Sequence, residues 1–397
     1  MRPFKIFIFA YWHDKGWKGF VGATVKIWDF AHNMARLGHH VVLLLPEYEF
    51  PQKSLPLQLI QVPFLDFALL RSLSFNFFLT IFLVVHHIAS KPDVVYIRRG
   101  ISIVPAIYAK LKKTLLIYEV NDDPYRYNRA HMAGPVSLFA KWLSIKTDEI
   151  ILSWCDAAFV ITKEIKDKLI QRLPHINPEK IRILPSGANT DLYRPMDQIQ
   201  CRLRLNLENS KKYIGFMGTL LEHQGVDVLV DAAPSVLQSI PDAFFVIIGE
   251  GPMKDQWRRR VDERSLQGHF LFTGQIDYEQ TPLWINAMDL CVAPFLLKVG
   301  LSSPVKIFDY MACGKPVVAS KIPGTTEIFD GSDGVRLIEP ENKDALADAL
   351  VDILADEEKA KRMGMQGRRL VETHYDRRVL AEKVQKEVYG LLKAQGG

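Results

Sequence analysis

Lys306 and Asp309 are the pair best placed for chemistry in this sequence. They stand three residues apart in the segment Ser302 to Ser320, SSPVKIFDYMACGKPVVAS. Two serines and a proline ahead of a periodic apolar run predict a helix over Val305–Ala312. Ser302 and Ser303 can cap it, and Pro304 suits its first turn. The free amides and positive dipole end of such a helix attract phosphate. At this spacing Lys306 and Asp309 share one helix face. Asp309 could then accept hydrogen bonds from both hydroxyls of a ribose, while Lys306 offers charge to a diphosphate. The same spacing also suits an ordinary surface Lys–Asp pair, worth about 0.2–0.5 kcal/mol.

Glycine-rich strand ends supply a second set of candidates. Gly215-Phe-Met-Gly218-Thr219 closes a strand ahead of a helix, and its amides could cradle a phosphate without side-chain charge. Gly249-Glu250-Gly251-Pro252 follows another strand as half of a dinucleotide fingerprint. Gly16, Gly19 and Gly22 fall between the first strand and first helix, where they would let a sugar phosphate approach the backbone. Each could equally be turn chemistry. Several other mechanisms lack their residues. There is no Gly-x-x-x-x-Gly-Lys-Ser/Thr phosphate loop, no His-Glu-x-x-His zinc helix and no Gly-x-Ser-x-Gly elbow. No two aspartates are separated by one residue, so the metal-clamping Asp-x-Asp is missing too.

Two series of alternating strands and helices must position these residues. Lys5–Ala10, Val41–Leu45, Val94–Ile97, Leu115–Val120 and Ala157–Ile161 read as strands apolar on both faces. Thr24–Leu37, Ser102–Lys112 and Ser137–Trp154 have helical spacing between them, and Gly38 ends the first of these helices. The pattern restarts with strands at Tyr213–Phe216, Phe244–Ile248, Phe270–Phe272, Leu290–Ala293, Val317–Ala319 and Val335–Ile338. Helices are predicted between them at Val226–Leu237, Met253–Arg264, Val305–Ala312 and Asp344–Leu354. The fold class is α/β: two Rossmann-like, doubly wound domains facing a cleft. Residues 1–190 with a C-terminal helix over 376–397 form one domain and residues 191–375 the other. Asp191–Ser210 is the expected linker, and Arg377–Lys393 a helix crossing the junction.

Composition sets outer bounds. The 397 residues are 48% hydrophobic and 24% charged, as in globular proteins with real cores. Residues 1–190 carry 24 Lys/Arg against 15 Asp/Glu, giving +9. Residues 191–397 carry 26 against 30, giving −4, and the sum is the net +5. A basic first half suits anionic lipid, a phosphorylated acceptor or nucleic acid, or is simply an uneven surface. No nucleic-acid recognition motif accompanies it. Cys155, Cys201, Cys291 and Cys313 form no metal or disulfide spacing, so a reducing compartment is expected. The start MRPFKIFIFAYW reads as a first strand rather than a signal peptide. Phe75–Val85, FNFFLTIFLVV, is too short to span a bilayer, which needs about 20 residues. It reads as a core helix or an interfacial one.

Taken in order, these residues resemble the retaining glycosyltransferase family 4, of GT-B fold. The likeness runs through Gly16–Gly22, Pro185-Ser-Gly-Ala-Asn-Thr-Asp191-Leu-Tyr-Arg-Pro195, Gly218–Gly225, Ile248–Pro252, Ser302–Ser320 and Glu327. It is strongest to members of cell-surface polysaccharide and glycolipid synthesis. The resemblance implies a nucleotide-diphosphate sugar donor, a hydroxyl acceptor on a lipid-linked or cell-envelope glycan, and retention of the anomeric configuration. No cofactor or metal is expected. A cytoplasmic enzyme touching the inner face of a membrane is expected as well. Donor-binding residues would be Gly19, Gly22, Gly218, Thr219, Gln224, Gly249, Glu250, Ser303, Pro304, Lys306 and Asp309. Glu119 and Lys306 would be catalytic, and Arg98, Arg99 and Asp122 would bind the acceptor.

The sequence also departs from the family. A Glu, seven residues and a second Glu usually contact the donor; here those positions are Leu301 and Asp309. The Arg and Lys that usually hold the diphosphate are replaced by Thr219 and Gln224. A frequent His is replaced by Glu119, which could orient or deprotonate an acceptor hydroxyl, or merely bind its own loop. These losses keep two alternatives open, a non-catalytic nucleotide-sugar binder and a GT-B nucleotide-sugar epimerase.

Overall fold

The computed structural model describes residues 2–11, 22–47, 56–65, 67, 70–85, 91–100, 102–121, 135–297 and 304–396. The chain divides into two compact units, Met1–Pro185 with Arg378–Gly397, and Ser186–Arg377.

The first unit alternates β1 (Lys5–Phe9), α1 (Gly22–Arg36), β2 (His40–Pro46), β3 (Gln58–Val62), α2 (Arg71–Val85), β4 (Val94–Arg98), α3 (Val104–Lys112), β5 (Leu115–Val120), α4 (Pro135–Trp154), β6 (Ala157–Val160), α5 (Lys163–Arg172) and β7 (Ile181–Ile183). All seven strands are parallel, in the order β3-β2-β1-β4-β5-β6-β7. Their apolar runs follow from burial on both faces. Phe7 and Phe9 point to the face covered by α2, α3, α4 and α5. Ile6 and Ile8 point to the face covered by α1 and the chain's last helix.

The second unit contains α6 (Gln198–Arg204), β8 (Lys212–Met217), α7 (Val226–Ser239), β9 (Ala243–Ile248), α8 (Lys254–Glu263), β10 (Phe270–Gly274), α9 (Thr281–Ala287), β11 (Leu290–Ala293), α10 (Val305–Ala312), β12 (Val317–Ser320), α11 (Pro323–Phe329), β13 (Val335–Ile338), α12 (Lys343–Leu354) and α13 (Glu357–Leu370). Its parallel sheet runs β10-β9-β8-β11-β12-β13. The last helix, α14 (Arg377–Gly396), returns to the first unit. There Leu380, Ala381, Val384 and Val388 pack with Phe4, Ile6 and Ile8.

Two expectations about organisation change. Residues 191–210 are not a linker, because α6 is built into the second unit. Cys201 and Arg202 are buried, and the Arg202 guanidinium bonds the Ala287 carbonyl at 2.9 Å and Asp289 at 2.6 Å. The unit boundary falls at Pro185/Ser186 rather than after residue 190. Residues 186–190 are held to the end of the second unit: the Ala188 amide donates to the Tyr375 carbonyl and the Arg377 amide to the Ala188 carbonyl, both at 3.0 Å. The last helix, α14, lies on the first sheet, where its apolar stripe completes the core face that α1 leaves partly open.

Candidate functional site

The second sheet reverses its winding between β8 and β11, which pair directly. The helices that follow them, α7 and α10, begin beyond the carboxyl ends of these two neighbouring strands. A parallel sheet leaves its ligand crevice at such a point.

The end of β8 is locked from α10. The buried Tyr310 hydroxyl accepts a hydrogen bond from the Met217 amide at 2.7 Å. Gly218 follows with φ +154°, and its amide donates to the Ile248 carbonyl at 2.9 Å. A Cβ on Gly218 would stand 2.7 Å from Lys306 Nζ, and one on Gly249 would stand 2.0 Å from the Gly218 carbonyl oxygen. Gly249 is a spatial necessity, since its Cβ would strike backbone, whereas at Gly218 a side chain would displace the tip of Lys306. Gly225, with φ +67°, opens α7; a Cβ there would fall 1.8 Å from the Pro294 carbonyl oxygen beyond β11. The Leu296 amide donates to the His223 carbonyl at 3.1 Å, joining the two loops.

Lys306 extends over this floor. Its Nζ donates to Gln224 Oε1 and lies 3.9 Å from the centroid of the Phe216 ring and 5.2 Å from that of Phe295. No carboxylate among the described residues pairs with it. Burial pushes the Lys306 ammonium well below the usual lysine value, since an enclosed charge loses hydration. The Gln224 amide nitrogen in turn meets His223 Nε2 at 2.9 Å. An anion entering here would find a cation, two helix N-termini and backbone amides.

The other expected residues divide around this cluster. Asp309 is buried, and its charge helps raise the Tyr193 and Cys313 pKa values, burial being the larger cause for both. Lys306 turns to Gln224 instead, so the simple Lys–Asp pair does not form. Pro304 occupies the position just before α10 rather than its first turn, and its carbonyl accepts from the Ile307 amide. The serine cap, Ser303 included, lies outside the described residues. Thr219 is exposed, with its carbonyl accepting from the Leu221 amide. Glu250 turns its carboxylate to Lys254 at 2.7 Å, away from the cluster, while its carbonyl accepts from Leu220. Gly19 lies outside the described residues, and Gly22 begins α1. The sequence reading missed Tyr310, Phe216, Phe295 and His223. The only signal for Phe295 was its place just past a buried strand.

In the first unit, Arg98 and Glu119 are register partners at the ends of β4 and β5. Glu119 is buried, its carboxylate 2.8 Å from Lys26 Nζ and accepting from the Tyr96 hydroxyl at 2.8 Å. Burial alone would raise its pKa, but the Lys26 and Arg98 charges and these hydrogen bonds hold it at about 2. A carboxylate so stabilised is a poor proton acceptor. The base role anticipated for Glu119 therefore does not fit. Arg99, anticipated for an acceptor phosphate, has its Nε paired with the buried Asp148 of α4 at 2.9 Å, and the Tyr118 hydroxyl donates to the same carboxylate. Arg98 remains beside Glu119, and Asp122 lies outside the described residues.

Comparison with known proteins agrees with this architecture. Residues 21–192 match the model of Glycosyltransferase Family 4, and residues 211–356 match that of glycosyl transferases group 1. A GDP-mannose-dependent alpha-(1-6)-phosphatidylinositol monomannoside mannosyltransferase of Mycolicibacterium smegmatis is 29% identical over 191 residues, 47% of this chain and 50% of that protein. The chain thus spans about half the length of the curated relatives it matches. Among solved structures, sucrose-phosphate synthase from Thermosynechococcus elongatus superposes with TM-score 0.76 at 19% identity, covering 98% of this chain and 99% of that one. Anabaena HepE in complex with UDP-glucose gives TM-score 0.73 at 16% identity, covering 97% and 100%. These structural likenesses concern the fold. Two family models match segments of the two Rossmann-like units, and the chain belongs to the family 4 glycosyltransferases, with the GT-B fold.

Proposed function

We propose that this protein transfers a sugar from a nucleotide-diphosphate sugar to a hydroxyl of a glycolipid or cell-envelope glycan, with retention at the anomeric carbon. One observation carries the reading. Lys306 is enclosed without a described carboxylate partner, over Gly218 and between the N-termini of α7 and α10. A leaving diphosphate needs charge of this kind, and a preorganised site provides it without reorganisation in the transition state. In the reaction the anomeric carbon–oxygen bond to phosphate breaks and a bond to the acceptor oxygen forms. The acceptor proton passes to the released diphosphate, so Glu119 is not needed as a base. Lys306 and the helix ends would supply this neutralisation without a metal ion. Asp309 is the candidate for the ribose. The mannosyltransferase relative named for a phosphatidylinositol acceptor and the UDP-glucose bound to HepE support the acceptor and donor classes.

The test is nucleoside diphosphate release from a panel of nucleotide sugars, with chelator present, with and without membrane lipid extract. Release that depends on the extract is expected. Donor binding without release under any condition would replace the transferase by the non-catalytic binder.

A further inference from the structure

The first unit presents an apolar surface that its fold does not use. Helices α2, α3 and α4 lie over the same face of the first sheet, each contributing an inward stripe to one core: Phe75, Leu79 and Leu83 from α2, Ala106 and Ala109 from α3, Ile151 and Leu152 from α4. Their outward sides are therefore neighbours. On α2 the outward stripe is Leu73, Phe77, Ile81 and Val84, with Leu73 67% and Phe77 61% exposed. On α3 it is Ile107 and Leu111, the latter 78% exposed. On α4 it includes Phe139 and Trp142, stacked at 5.8 Å, with Trp142 54% exposed. A helix apolar on two faces has something to bury on both. Scattered surface apolar residues need no explanation, but three adjacent helices all exposing theirs do.

The charges beside these stripes say what covers them. Helices α3 and α4 carry Lys110, Lys112, Lys141 and Lys146 against Asp148 and Glu149; Asp148 is buried with Arg99, and Glu149 pairs with Lys146 at 2.6 Å. Exposed Lys110 of α3 and exposed Lys113, which caps its end, flank Leu111. No described helix is long and apolar enough to cross a membrane. Exposed aromatic and aliphatic side chains edged by lysines match the depth profile of a bilayer interface with anionic headgroups.

We propose that the outward faces of α2, α3 and α4 dock this protein flat on an anionic phospholipid bilayer. Leu73, Phe77, Leu111 and Trp142 enter the acyl boundary, and the α3 and α4 lysines contact headgroup phosphates. The surface deepens the reading of a lipid-linked acceptor. It rests on that reading only for its purpose, because binding to lipid requires neither donor nor acceptor.

The experiment is flotation of the full chain with vesicles of phosphatidylcholine alone or mixed equally with phosphatidylglycerol. Wild type is expected to float with the mixed vesicles and to lose binding as salt rises. Combining Phe77→Ser, Leu111→Ser and Trp142→Ser should lower partition about tenfold or more. Lys110→Gln with Lys113→Gln should lower it similarly for mixed vesicles only. All these side chains are exposed, and thermal melting checks that the variants fold. Wild type that stays in solution, or an apolar variant that floats like wild type, overturns the proposal. So does a wild-type dimer that ignores vesicles and becomes monomeric in the apolar variant, which would assign the face to a second copy. Absence of transferase activity alongside intact flotation would count against the enzymatic reading alone.

Discussion

Glu119 and Lys306 are both enclosed charges, settled in opposite ways. Glu119 has Lys26 and Tyr96, so its ionised form is the stable one, with the pKa lowered from its ordinary 4.5 to about 2. A depressed carboxylate pKa contributes stability that is present above the unfolded value and lost as pH falls through the folded one. The window here runs from 4.5 down to about 2, and the contribution is about 3 kcal/mol. Glu119→Gln, which strands the Lys26 charge, is therefore expected to cost about 3 kcal/mol at neutral pH in urea unfolding. Its deficit should shrink as the pH is lowered below 4.5. Equal midpoints at neutral pH would contradict the pairing. None of this could be read from Tyr118-Glu119-Val120, because Lys26 and Tyr96 arrive from distant elements. The neighbour of Lys306 differs from the one its helical spacing suggests. Helical spacing suggested Asp309, whereas the ammonium reaches Gln224, on a loop 82 residues away.

At the scale of elements, the crevice is made by backbone passing close to backbone. Gly225 is the tightest point: any side chain there meets the Pro294 carbonyl and adopts a strained φ of +67°. Gly225→Ala should cost about 2 kcal/mol or more and weaken nucleotide binding, because it parts the loops after β8 and β11. Unfolding and nucleotide titration of the variant check both, and a neutral substitution would show that the loops are not interlocked. The buried strands of both sheets were legible as continuous apolar runs. The strands at one end and the other of the first sheet, β3 and β7, were not. Gln58–Val62, an edge strand, has its apolar run broken by exposed Gln58 and Gln61, and Ile181–Ile183 has only three residues. The helix α6 was hidden by its charge, since Arg202 is buried only through its bonds to Ala287 and Asp289.

At the scale of the molecule, the chain's end stabilises its beginning. Removing residues 378–397 would uncover Phe4, Ile6, Ile8 and Trp28, so the truncated chain should lose the cooperative unfolding of its first unit while the second unit melts as before. Calorimetry on the truncated and full chains separates the two, and an unchanged first transition would contradict the packing of α14. Two restarting strand–helix series made the two-unit plan legible. The boundary was not, because the Ala188–Tyr375 and Arg377–Ala188 bonds joining residues 186–190 to the second unit leave no mark in composition. The claim on which the functional account depends is that Lys306 holds the donor diphosphate. The direct measurement is calorimetric titration of uridine, guanosine and adenosine diphosphates into wild type and Lys306→Met, with thermal melting of both. At least one nucleotide should bind wild type and lose about thirtyfold in affinity in the variant, which forfeits a charge-assisted contact. The melting temperature should hold or rise, because burial disfavours the Lys306 charge. Unchanged affinity in Lys306→Met would contradict the account.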